Sequence, residues 1–203
     1  MSRKTEFAIA FILSIILLPL FLFASAVVVI KLGSPVFFVQ KRTGKSGRCL
    51  RVVKLRTMHK QPDDGPLLLD VERVTPATDL LRRLRLDELP QLIAVLRGDL
   101  ALVGPRPLLR HTVEAFGVKG EQRCKVRPGI TGWSQVSGNT RLSNDEKLQL
   151  DLWYVANRSA ALDFRILAET VSVALLGERR RPERLVAAKY IILVEQTSGS
   201  QTS

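Results

Sequence analysis

Residues 86–107 read LDELPQLIAVLRGDLALVGPRP, and the rest of the chain is read outward from them. Leu86, Leu89, Leu92, Ile93 and Leu96 recur at helical spacing and give one apolar face. Gly98 is a suitable C-cap for that helix. At its start, Asp87 is placed as N-cap with Glu88 just inside, and Pro90 is tolerated in the first turn. A helix N-terminus favours negative charge, and its free backbone N–H groups bind phosphate. A carboxylate held ionised beside a phosphate can serve as a covalent nucleophile. A second carboxylate next to it can hold a Mg²⁺ shared with the phosphates. Taken alone, Asp followed by Glu more often marks an ordinary helix start.

Basic residues gather around this acidic pair. Strand alternation puts Lys54 and Arg56 on one face. Arg82, Arg83 and Arg85 crowd the approach to Asp87, Arg106 lies between prolines in Gly104–Pro107, and Arg127 opens RPGITGW. Arginine suits planar, bidentate recognition of phosphate oxygens. Any one of these residues is explained as well by a solvated basic face turned to anionic lipid. The 203-residue chain carries a formal net charge of +12, which favours anionic lipid, phosphorylated ligands or nucleic acid without choosing among them. The length suits one compact domain plus a small appendage. Cys49 and Cys124 do not make a disulfide framework, and His59 and His111 show no zinc spacing, so a reduced setting without a transition metal is expected. Gly44-Lys45-Ser46 resembles the end of a P-loop, but Val39 stands where the first glycine is needed and a strand follows. Trp133, Trp153 and Tyr154 are candidates for base stacking or a membrane interface, with core packing the commoner fate.

From Phe7 to Ile30 the sequence is almost wholly apolar. As a helix it spans roughly 36 Å, enough for a hydrocarbon core of about 30 Å. Composition favours a straight span, and two features trouble it. Pro19 removes a backbone donor and favours a kink, and Arg3, Lys4, Lys31, Lys41 and Arg42 put positive charge on both flanks. A re-entrant helix that breaks near Pro19 fits both. Ala24-Ser25-Ala26 also resembles a signal-peptide cleavage site, although the apolar run continues past it.

Beyond Gly33, Val36 to Arg42 and Arg48 to Met58 read as strands joined by a turn at 43–47, a hairpin. Residues 59–67 read as a surface loop. Leu80 to Leu86, Leu108 to Phe116, Asp145 to Ala156 and Leu162 to Leu176 are helix candidates. The segment 177–203, basic at Arg179–Arg181 and polar at its end, is expected to be loosely held, with its final residues disordered.

The stretches SPVFFVQKRTGKSG, KLRTM, LDELPQLIAVLRGDLALVGPRPLL and RPGITGWSQVSG occur in the order seen in the bacterial sugar transferases, which they resemble. The DELPQL and VGPRP blocks at this separation are highly specific. The resemblance implies a monotopic phosphoglycosyl transferase of α+β class: a mostly helical small catalytic domain around a β-hairpin, with amphipathic helices on the membrane surface. It divides the chain into a re-entrant membrane helix at 1–32, a catalytic domain at 33–176 and the tail at 177–203, on the cytoplasmic face of the bacterial inner membrane. It implies a ping-pong reaction. Asp87 attacks the β-phosphate of a UDP-sugar and releases UMP, and polyprenol phosphate then takes the phospho-sugar from the aspartate. Glu88 helps hold Mg²⁺ with Asp87. Arg106 is the leading phosphate ligand, then Lys54, Arg56 and Arg82; Arg127 belongs to the same basic set, and Asp163 matches an acidic family position. Anionic lipids are expected partners and nucleic acid is not.

The chain departs from the family pattern in places. Asn139 stands where an arginine is common, with Arg141 two residues on, and Leu84 and Arg85 replace a small polar pair. These departures leave donor preference open and motivate an inactive membrane-bound scaffold as the alternative. A membrane-tethered nucleic-acid binder rests on charge alone and lacks any recognition motif.

Overall fold

The computed structural model describes residues 1–62 and 67–189. Part of the expected loop, at 63–66, and the polar end of the tail, at 190–203, lie outside the described residues.

The apolar N-terminus forms two helices, α1 (Arg3–Ile16) and α2 (Leu18–Leu32), bent by 59° at Leu17. Pro19 is the second residue of α2. It has no N–H for the carbonyl of Ile15, and its ring crowds that turn, so the bend sits at Leu17. Among the described residues no single helix is long and apolar enough to cross a membrane, and only the two helices of this bent pair taken together reach that length and composition. Phe11, Ile15, Ile16, Phe23 and Ile30 are exposed on its outside.

The inner side of α1 is fastened to the site-bearing core by charge. Arg3 donates to the carbonyls of Val95 and Leu96 at 2.6 and 2.7 Å, at the C-terminal end of α4 (Gln91–Arg97). Glu6 is buried and pairs with Arg127, whose other nitrogen donates to the Leu100 carbonyl at 2.9 Å. Arg127 therefore ties the N-terminal helix to the core and does not join the phosphate-binding set expected from sequence.

The hairpin is present, with β1 (Phe37–Thr43) antiparallel to β2 (Cys49–Leu55) and Phe37 opposite Leu55. Ser46 and Gly47 turn the chain with φ of 54° and 76°. Helix α3 (Pro76–Arg83) starts earlier than the expected Leu80, because Thr75 and Thr78 form a reciprocal cap and Pro76 occupies the first turn. After α4 the chain forms β3 (Ala101–Val103), α5 (Arg110–Ala115), α6 (Val118–Arg123), β4 (Gly129–Thr131), α7 (Trp133–Val136), α8 (Asn144–Asn157) and α9 (Ala160–Leu176). The arrangement is compatible with the α+β class.

The parallel pairing of β3 with β4 was not foreseen, since strands this short show no period. It depends on close backbone approach. A Cβ at Gly129 would lie 2.1 Å from the Gly104 nitrogen, and one at Gly104 would lie 2.5 Å from the Arg127 carbonyl oxygen. The two glycines let the VGPRP and RPGITG loops interlock, and this fixes where Arg106 emerges.

The tail differs from expectation. Residues 182–189 are helical, with Leu185 and Ala188 buried. The Arg184 guanidinium lies 3.9 Å over the Trp133 ring and bonds Glu169 at 2.7 Å. Trp133 in turn stacks on Trp153 at 5.1 Å. Burying the Arg184 stem and head against an aromatic pair holds this basic segment to the core.

Gly129→Ala is expected to cost at least about 1–3 kcal/mol by forcing the two loops apart. A thermal melt reads this directly, and an unchanged midpoint would show that the loops separate without cost.

Candidate active site

Asp87 and Glu88 do not begin an α-helix. They sit in a 3₁₀ turn (Leu86–Glu88) ahead of α4. Leu89 N–H donates to the Leu86 carbonyl at 3.3 Å and closes that turn. Pro90 holds the N-cap position of α4, where its missing N–H costs no helical bond. Arg85 precedes the turn in the left-handed region, with φ of 61°. The expected N-cap role of Asp87 is therefore corrected. Both carboxylates are buried, and burial, their mutual repulsion and the nearby side-chain cations act on their ionisation.

Lys54 Nζ donates to Glu88 Oε1 at 2.5 Å, and Arg106 donates to the same oxygen at 2.9 Å. Arg85 stands 3.9 Å from Glu88 Oε2. Burial pushes the Glu88 carboxyl up, but Arg106, Lys54 and Arg85 outweigh it and hold it at about 2. Asp87 responds oppositely. Burial and then the Glu88 charge raise it to about 6, and Lys54, Arg85 and Arg106 only partly offset them. Among the described residues Lys54, Arg85 and Arg106 pair with Glu88 and none of them pairs with Asp87. One carboxylate is locked as an anion, and the other is left with its lone pairs uncommitted.

The remaining candidates are elsewhere. Arg56 donates to the Leu32 and Gly33 carbonyls at 2.5 and 2.6 Å and caps α2, so the face shared with Lys54 does not bring it to the carboxylates. Arg82 is exposed on the last turn of α3. Asp163 is buried and accepts from the Met1 ammonium at 2.5 Å and from Tyr154 Oη at 2.6 Å. Arg141 is exposed. Asn139 donates to Glu178, which also bonds Arg85 at 2.8 Å. The two positions where the chain departs from the family pattern are thus joined through Glu178.

The structure adds residues that sequence reasoning missed. Buried Arg123 donates to the Arg106 carbonyl and to Asp151 at 2.8 Å, and Ser134 completes Asp151 at 2.7 Å. This network holds the Arg106 loop from behind. No local signal could have found it, because its members lie far apart in the chain. Arg42 was legible in principle. The hairpin register pairs it with Leu50, on the same face as Lys54.

The donor set suits Mg²⁺. That ion takes hard oxygens, commonly one or two carboxylates plus substrate phosphates. Asp87 and Glu88 Oε2 offer such oxygens, and among the described residues no cluster of three acidic, His or Cys ligands exists, so substrate phosphates and water would supply the other ligands. Beside the pair, Ser14, Leu17, Leu18, Phe21, Leu89 and Pro90 line an apolar groove of about 140 Å³ at the bend of the N-terminal helices.

The raised Asp87 carboxyl has a stability consequence. A folded-state value above the unfolded one stabilises the protein below about 3.8, and that stabilisation is lost as pH rises through about 6. In metal-free protein, Asp87→Asn is expected to gain about 1–3 kcal/mol at pH 7.5 and little at pH 4. Equal thermal shifts at both pH values would show that Asp87 is not held this way.

The family model for bacterial sugar transferases matches residues 1–177. The chain is 49% identical over 158 residues to EpsL of Bacillus subtilis (strain 168), named an uncharacterized sugar transferase, across 77% of this chain and 78% of the relative. It is 33% identical over 194 residues to the exopolysaccharide production protein ExoY of Sinorhizobium fredii, across 87% and 86%. It is 34% identical over 182 residues to the UDP-glucose:undecaprenyl-phosphate glucose-1-phosphate transferase of Caulobacter vibrioides, across 84% of this chain and 68% of the relative. With the acidic pair, its cations and the interlocked loops all inside the matched stretch, the chain belongs to the bacterial sugar transferase family and is a sugar-phosphate transferase.

Proposed function

We propose that this enzyme moves a sugar 1-phosphate from a UDP-sugar to polyprenol phosphate through a covalent intermediate on Asp87. The observation that carries this reading is the opposite treatment of two adjacent carboxylates: Glu88 is neutralised by Lys54 and Arg106, while Asp87 is buried, uncommitted and raised to about 6. A nucleophile needs uncommitted lone pairs, and its ionisation near neutral pH keeps it basic enough to attack.

In the first half-reaction an Asp87 oxygen bonds the β-phosphorus. The bond from that phosphorus to the bridging oxygen breaks, and its electrons leave with UMP. In the second, an oxygen of polyprenol phosphate bonds the same phosphorus and the Asp87 carboxylate is released. Lys54 and Arg106 stand beside Asp87, where charge develops on the phosphoryl oxygens, and act as preorganised positive charge. The Arg123–Asp151 network keeps the Arg106 loop in place. Mg²⁺ held by Asp87 and Glu88 would neutralise further charge on the donor phosphates.

The acceptor half is supported by the apolar groove that continues from Leu89 and Pro90 to the bend of the N-terminal helices. The exposed apolar outside of α1 and α2 suits a helix pair that dips into one leaflet and returns, with the site on the cytoplasmic face of the inner membrane. Exposed Phe164, Val171, Leu175 and Leu176 on α9 suit the membrane surface.

UMP release from UDP-sugars in the presence of polyprenol phosphate and Mg²⁺ tests the reading. Asp87→Asn is expected to lower the rate at least about a thousandfold, and chelation of Mg²⁺ to abolish it. Undiminished release by the Asp87→Asn protein would assign the chemistry to another group.

A further inference from the structure

Arg42 lies partly buried on the inner face of β1, in register with Leu50 and on the same side as Lys54. With Lys54, Gln91 and Arg106 it lines a cleft beside the acidic pair. Lys54 and Arg106 are balanced by Glu88. Among the described residues the Arg42 guanidinium has only the neutral Gln40 side chain as a side-chain partner. Burial and the nearby Arg106 charge both work against it, lowering its hold on its proton. A partly buried cation facing other cations without a carboxylate is costly unless an anion joins it. The cleft encloses about 20 Å³, room for one oxygen-sized group. A phosphoryl oxygen is of that size.

The position of Arg42 says which phosphate this is. Lys54, Arg85 and Arg106 are the cations that act on Asp87 and Glu88, and Arg42, beside Arg106 in the cleft, is not among them and stands outside that inner set. In an in-line displacement the bond that breaks lies opposite the bond that forms. The phosphate not transferred therefore sits on the far side of the reacting phosphorus from Asp87. The incoming phosphate of the second half-reaction must approach from that same side. We infer that Arg42 seats the phosphate that is not transferred: the α-phosphate of the nucleotide in the first half-reaction and the acceptor phosphate in the second. This rests on the covalent Asp87 reaction proposed above. As the Asp87–phosphorus bond forms, the electron pair of the breaking bond passes to the oxygen of the seated α-phosphate. In the second half that flow reverses, from the seated acceptor oxygen to phosphorus and back to Asp87.

Two measurements test this on the full chain. UMP titrated into the wild type with Mg²⁺ is expected to bind, and Arg42→Gln to weaken it about tenfold or more, the loss of one charge-assisted hydrogen bond. The KM for polyprenol phosphate is expected to rise by a similar factor, Arg42→Lys to recover part of each effect, and the thermal midpoints to stay close to wild type. Unchanged UMP affinity, or an unchanged KM for the acceptor, in a turning-over Arg42→Gln enzyme overturns the shared seat and leaves the proposed reaction intact. Wild type that binds UMP through Arg42 yet releases none from any UDP-sugar removes the proposed reaction instead.

Discussion

The site depends on one oxygen. Glu88 Oε1 accepts both Lys54, from the hairpin, and Arg106, from the loop after β3. Two parts of the fold that are distant in sequence are thereby pinned to the residue next to Asp87. A buried carboxylate is tolerable only with such partners. Once Glu88 has taken them, Asp87 has burial and a neighbouring negative charge to contend with, and its carboxyl rises. The reactivity of one residue is thus a by-product of how the other is satisfied.

Backbone constraints place that oxygen. A 3₁₀ turn at Leu86–Glu88 precedes α4, and both of its carboxylates are buried. Gly104 and Gly129 let two loops approach more closely than any side chain allows, and Arg123 donates to the Arg106 carbonyl from behind. Arg3 and the Glu6–Arg127 pair fasten the N-terminal helix to the far end of α4. The apolar N-terminus is thereby held at a fixed place beside the acidic pair.

The sequence made the hairpin, the long helices and the acidic pair legible, because period and turn chemistry are local. It read Lys54, Glu88 and Arg106 as neighbours only with the help of family resemblance. It grouped Arg127, Arg56 and Asp163 with the site, and in the fold each meets a distant partner: Glu6, the end of α2, and the Met1 ammonium with Tyr154. Cations look alike in one dimension, and only the fold says which are already neutralised. The same limit hid Arg42, a cation left unneutralised, and the segment at 182–189, whose Arg184 finds the Trp133 ring.

The central claim is that Asp87 carries the phospho-sugar between donor and acceptor. Mass spectrometry of the enzyme incubated with its UDP-sugar and Mg²⁺, without polyprenol phosphate, tests it most directly. The account predicts a phospho-sugar adduct on the peptide containing Asp87, formed with release of UMP and discharged when polyprenol phosphate is added. UMP released only when the acceptor is present, with no adduct on that peptide, would mean direct transfer between the substrates and would contradict it.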